Sequence, residues 1–134
     1  MPVATGVADR RAYLRDSELE LSAPSGASAT VSGTSKAFDA SNLDTAKLVV
    51  NSAGYTSYSA GSAEWVVSLK ASKDNSTFVE INSVTFPATA SVTEIAFSGA
   101  EVTEKVGGRA THIKADLTKT GSPGNATGSI FIYL

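Results

Sequence analysis

From Ser17 onward, apolar and polar residues alternate with a period of two, which predicts strands with one face buried and one face wet. Leu19 and Leu21 oppose Glu18 and Glu20, and Pro24-Ser25-Gly26 closes that strand. Ala27 to Thr34 gives a weaker β segment, followed by the polar, turn-rich loop Asp39 to Asp44. Lys47 to Ser52 carries the apolar run Leu48-Val49-Val50, and Gly54 to Gly61 reads as an exposed loop bearing Tyr55 and Tyr58. The clearest hairpin spans Glu64 to Ile81, in which Trp65, Val67 and Leu69 alternate with Glu64, Val66, Ser68 and Lys70 before the turn Ser72 to Ser76. On the return strand either Phe78 and Glu80 or Val79 and Ile81 face inward.

A further strand covers Val92 to Phe97, and Gly107-Gly108 opens one in which His112, Lys114 and Asp116 alternate against Ile113, Ala115 and Leu117. After the turn Thr120 to Gly124, the last strand, Ser129 to Leu134, sets Ile130, Ile132 and Leu134 against Phe131 and Tyr133. No 3.6-residue pattern runs beyond two turns. About eight antiparallel strands separated by short turns predict a single all-β sandwich over residues 17–134, jelly-roll-like rather than immunoglobulin-like because no Cys…Trp…Cys framework exists. Residues 1–16 show no alternation and are expected to form an extended N-terminal arm, with at most a short helical turn over Ala8 to Asp16. No repeat at a fixed period points to a propeller or a solenoid.

A chain of 134 residues with 42% hydrophobic and 18% charged residues can bury one core unaided. The absence of cysteine removes disulfides and thiolate metal sites. A net charge of −2 with scattered basic residues argues against nucleic acid as a partner. The sequence has no apolar run of membrane-spanning length and no basic segment followed by an apolar stretch, so neither a membrane nor a signal peptide is expected.

Candidate chemistry is sparse. The one histidine, His112, has no identifiable nucleophile or acid to work with, and it reads as a polar residue on the wet face of its strand. One histidine without cysteine leaves only a carboxylate site for a hard cation. Asp39, Asn42 and Asp44, or Asp74 and Asn75, do not match the calcium-loop spacing and already serve turns. The carboxylate pairs Glu18/Glu20 and Glu101/Glu104 are better read as surface charge than as glycosidase acids. Asn75-Ser76-Thr77 and Asn125-Ala126-Thr127 match the N-glycosylation pattern, yet both asparagines have turn roles. No enzyme, cofactor or metal is therefore expected.

Two groups suit recognition. Tyr55 and Tyr58 in a Gly/Ser loop fit either a sugar or a protein surface, or incidental exposure, with Trp65 assigned to the core. Arg10, Arg11, Tyr13 and Arg15 have the composition of a protein interface, the plain alternative being a solvated tail.

The segments Trp65 to Ile81, Arg109 to Leu117 and Thr120-Gly121-Ser122-Pro123 together resemble a strand-and-turn style of small tailed-phage structural proteins, the capsid cement or decoration proteins with a jelly-roll or related sandwich. The resemblance covers about the C-terminal half. It implies a virion protein on the capsid outer surface, bound to the major capsid protein as a homo-dimer or homo-trimer. Arg10, Arg11, Tyr13, Arg15, Tyr55 and Tyr58 are then the partner-binding candidates. The same strands are also similar to discoidin-type, galactose-binding-like jelly rolls, which implies a carbohydrate-binding module as the alternative. Here the bracketing cysteines of that family are missing. A tail-fibre or baseplate accessory domain is the third reading.

Overall fold

The computed structural model describes residues 20–39 and 45–133. The expected arm (residues 1–16), its boundary with the sandwich, Glu18, Leu19, Asn42, Asp44 and Leu134 lie outside the described residues. The elements in chain order are β1 (Glu20–Ser22), β2 (Ser25–Ala27), β3 (Lys36–Ala37), β4 (Ala46–Ser52), β5 (Glu64–Ser72), β6 (Val79–Thr85), β7 (Ser91–Phe97), α1 (Gly99–Val106), β8 (His112–Thr120) and β9 (Ala126–Tyr133).

Two antiparallel sheets pack face to face. One has the order β1-β9-β4-β7, with β2 also pairing β9, and the other has the order β3-β8-β5-β6. The pairs β1·β9, β3·β8, β4·β7 and β5·β6 are nested as in one long hairpin, and β4·β9 and β5·β8 fold that hairpin across two layers. This wiring is a jelly roll in which the first strand is split into β1 and β2.

The alternation of the sequence explains the core. Leu48, Val50, Ile130 and Ile132 project from one sheet onto Trp65, Val67, Leu69, Ile113, Ala115 and Leu117 of the other, all at 0–1% exposure. Full burial of each large member stabilises the fold by about 1.5–3 kcal/mol. On β6 it is Ile81 that is buried, with Val79 half-buried and Glu80 exposed. Phe78 lies before the strand, under the Lys114 ammonium at 4.7 Å.

The structure departs from the expected strand pattern in two places. Gly99–Val106 form a helix that the strand pattern hides. Ser98 Oγ accepts from the Glu101 amide (3.1 Å), Gly107 ends the helix at φ 80°, and Val102 and Val106 are buried. Eight residues are too few for a stable helix alone, so this one is held by docking on the strands, where Lys105 Nζ donates to the Ile81 carbonyl of β6 (2.6 Å). The segment expected as one strand over Ala27 to Thr34 is instead a broken edge along β8. Val31 bridges Leu117, Lys36 and Ala37 pair with Ile113 and His112, and a bulge separates the two contacts. In β1 the expected alternation holds, with Leu21 buried and Glu20 on the opposite face, partly covered beside Phe131.

The bulge requires Gly33. A Cβ there would sit 1.9 Å from the Ala115 carbonyl oxygen, a backbone atom that cannot yield. Gly33→Ala is expected to destabilise the fold by about 2 kcal/mol, measured by denaturant unfolding, because overpacking against backbone has no cheap relief.

Candidate functional site

Most side chains with a recognisable role lie at the two ends of the sandwich. At one end, the β4–β5 loop (53–63), the β6–β7 loop (86–90) and the β8–β9 loop (121–125) meet. Tyr55 pins the first two of these loops to each other and to β5. Its hydroxyl donates to the Phe86 carbonyl (3.0 Å) and accepts from the Trp65 amide (3.2 Å), its own amide donates to Ala88 O (2.9 Å), and its ring stacks on Phe86. Burial pushes the Tyr55 phenol up; the Trp65 amide opposes this, while the charges of Tyr58 and Glu64 add to it. The phenol therefore keeps its proton at neutral pH and acts as a donor rather than a base. Trp65, buried as expected, donates from Nε1 to Gly124 O (2.8 Å), and Gly124 N donates to Thr56 O (2.7 Å).

Tyr55 and Tyr58 are indeed together, at 6.2 Å between centroids in an edge-to-face pair. They are not equivalent. Tyr55 is half-buried with its hydroxyl used inside the fold, which corrects the expectation of two exposed tyrosines, whereas Tyr58 is 46% exposed. Ser57, immediately before Tyr58, sits at φ 61°, a left-handed conformation that non-glycine residues seldom adopt. The turn beyond is closed by reciprocal backbone bonds between Ser59 and Ala63 (2.8 Å each).

At the opposite end, Arg109 clasps Asp39 with two hydrogen bonds (2.6 and 3.3 Å) over a shallow depression also lined by Ala37, Phe38, Ala110 and Thr111. The Asp74 carboxylate is held below the usual range by the Thr77 amide, the Ser72 hydroxyl and the Ser76 amide, so its loop is closed upon itself. His112 lies on the outer face, with Nδ1 2.9 Å from the Thr111 hydroxyl. Glu101 of the helical carboxylate pair faces Lys105 at 3.5 Å. Among the described residues, no group of three or more His, Asp or Glu side chains is placed to hold a metal ion. No described helix is long and apolar enough to cross a membrane.

The outer face of the second sheet contains a buried charge that the alternation reads as wet. Asp116 is 9% exposed and takes hydrogen bonds from Lys70 Nζ (2.8 Å), Gly33 N (2.9 Å) and Ser32 Oγ (3.4 Å), with Lys114 at 3.7 Å. Its signal in the sequence is indirect, a lone Asp between the cationic strand positions Lys70 and Lys114.

Arg10, Arg11, Tyr13 and Arg15 lie outside the described residues. The chain enters β1 beside Phe131, toward the C-terminal end of β9, whereas the tyrosine loop packs against the turn that opens β9. Entry point and tyrosines are thus separated along the strands by about 20 Å at 3.3 Å per residue. No protein-family model and no curated protein sequence matches the chain.

Proposed function

We propose that this chain is a non-enzymatic binding module, a cement protein that decorates the outer surface of a tailed-phage capsid by contact with its major capsid protein. The observation that carries this reading is Tyr58. Its ring is exposed yet mounted on Tyr55, which three hydrogen bonds fix to the sandwich, and it follows a residue in a strained backbone conformation. An exposed aromatic whose ordering is already accomplished by the fold is what an interface hot spot needs. Backbone strain maintained at a loop tip is a pointer to function there. The entry into β1 at the far end suits a two-point grip, with Arg10, Arg11, Tyr13 and Arg15 reaching a second site on the shell. A sandwich with its own core adds contact area between neighbouring shell subunits without chemistry.

The test is occupancy on assembled shells. Tyr58→Ala is expected to leave unfolding within about 0.5 kcal/mol of the parent, as surface substitutions do. It should weaken shell binding by about tenfold or more, the loss of a hot spot. Deleting residues 2–15 should weaken binding in the same way with unfolding almost unaltered. Unchanged occupancy in both variants overturns the reading, and loss of binding to a galactose-type glycan in Tyr58→Ala would replace it with the carbohydrate-binding one.

A further inference from the structure

Two sheets have four edges, and each edge is a row of backbone groups that natural proteins guard against unwanted pairing. Three of the four are guarded here. β1 and β2 are three residues each with irregular register, and β3 is two residues beside the Gly33 bulge. β6 carries a bulge opposite Leu69 and Lys70, and Lys105 of α1 occupies its Ile81 carbonyl.

β7 is different. Its seven residues pair with β4 in unbroken register, and no described strand lies on its other side. It contains no proline or lysine. Its one charge, Glu94, is engaged by Lys47 at 3.0 Å. The Ala53 amide donates to Thr127 on β9 (2.9 Å), so by the alternation of an antiparallel ladder Asn51, Val49 and Lys47 bond toward β9, while Ser52, Val50 and Leu48 bond toward β7. Their partners Ser91, Thr93 and Ile95 then face β4, and the amides and carbonyls of Val92, Glu94 and Ala96 point outward. Val92 is 57% exposed on the outer face of β7, while Ile95, on the inner face, is only partly buried against the core.

We propose that the outer edge of β7 is the pairing site for β7 of a second copy of this chain, in an antiparallel register centred on Thr93. A two-fold axis that keeps inner faces with inner faces allows registers centred on Val92, Thr93 or Glu94. Centring on Glu94 sets two carboxylates directly across from each other, which is destabilising. Centring on Val92 pairs Glu94 with the loop residue Ala90 and shortens the ladder. Centring on Thr93 places each Glu94 across from Val92 of the partner, leaves each Glu94–Lys47 pair intact and sets the two threonines face to face. One strand pair with its flanking side chains buries less than the roughly 1,200 Å² of a standard interface, so the dimer is weak and concentration-dependent in solution. This inference names the self-contact of the decoration reading, but it depends on no shell.

The register makes the test specific. The chain has no cysteine, so Thr93→Cys supplies one thiol per chain at a facing, non-hydrogen-bonded position, where a disulfide can close. Under mild oxidation Thr93→Cys is expected to form covalent dimers at least tenfold faster than Ala37→Cys on the β3 edge. Val92→Glu, which faces Glu94 of the partner, should weaken self-association in sedimentation equilibrium by about five- to tenfold, and Val92→Lys should strengthen it, because cross-strand charges act twice in a symmetric pair. Cross-linking of Thr93→Cys no faster than of Ala37→Cys, or equal self-association of Val92→Glu and Val92→Lys, overturns the proposal. These readouts use the isolated chain, so their failure is distinct from a failure of shell binding.

Discussion

Trp65→Ala is expected to cost about 3–5 kcal/mol of unfolding free energy, the range for truncating a buried large aromatic. The indole is fully buried between the sheets. Its removal leaves a cavity at the point where the core meets the loops, and it orphans the Gly124 carbonyl that Nε1 satisfies at 2.8 Å. The Trp65 backbone also holds Tyr55 through its amide, and its carbonyl accepts from Phe86 N (2.7 Å). Loss of stability should therefore come with loosening of the tyrosine loop. Trp65→Phe separates the two effects. It keeps most of the volume and loses the hydrogen bond, for about 1–3 kcal/mol. Denaturant unfolding measures both, and a Trp65→Ala variant as stable as Trp65→Phe would contradict this packing account.

The strands that were legible in the sequence are those whose side chains choose their own face. β5, β8 and β9 show the alternation and β4 shows an apolar run, Leu48-Val49-Val50, all three buried, because each lies inside a sheet with the core on one side. The edges β1 to β3 were blurred because tertiary partners, not side-chain pattern, set their register. Gly26 N donates to Thr127 Oγ1, Lys119 N to Thr30 Oγ1, and Lys119 Nζ to Ser28 O, each from a residue about 90 to 100 positions away in sequence. The helix left a local signature, the capping pair Ser98 and Glu101 with Gly107 past the end, but its eight residues were too short to produce a visible period. In the candidate site, the placement of Tyr55 and Tyr58 in one Gly/Ser loop is readable from the sequence, but their edge-to-face contact is not. That loop composition says nothing about the Phe86 carbonyl, which takes the Tyr55 hydroxyl and draws that ring inward.

Removing the charge of Asp116 carries the second large effect. Asp116→Ala leaves Lys70 and Lys114, with 31% and 18% exposed side chains, facing each other without the carboxylate, and strips the Gly33 amide of its acceptor. Breaking a fully buried pair costs about 3–5 kcal/mol; the partial exposure of both lysines lowers the expectation to about 2–3 kcal/mol. The edge along Val31 to Ala37 should open first, visible as faster amide exchange there than on β5.

The pH dependence follows. Burial raises the Asp116 pKa, but the Lys70 hydrogen bond, the Gly33 amide and the charges of Lys114 and Lys70 outweigh it and hold the carboxyl below its ordinary value. The folded state therefore binds the proton less readily than the unfolded one. The resulting stability is present above the ordinary aspartate range and is lost as pH falls through that range toward the lowered native value. Asp116→Asn should accordingly show a shallower loss of stability on acidification than the parent, and identical slopes would contradict the assignment.

The most direct measurement of the central claim is sedimentation of the purified chain with icosahedral tailed-phage particles from its own source, compared with the unassembled major capsid protein. The decoration account predicts that the chain bands with assembled shells at reproducible, saturable occupancy, that Tyr58→Ala lowers that occupancy, and that unassembled subunits retain little of it. A chain that remains at the top of the gradient while intact shells migrate without it would contradict the account.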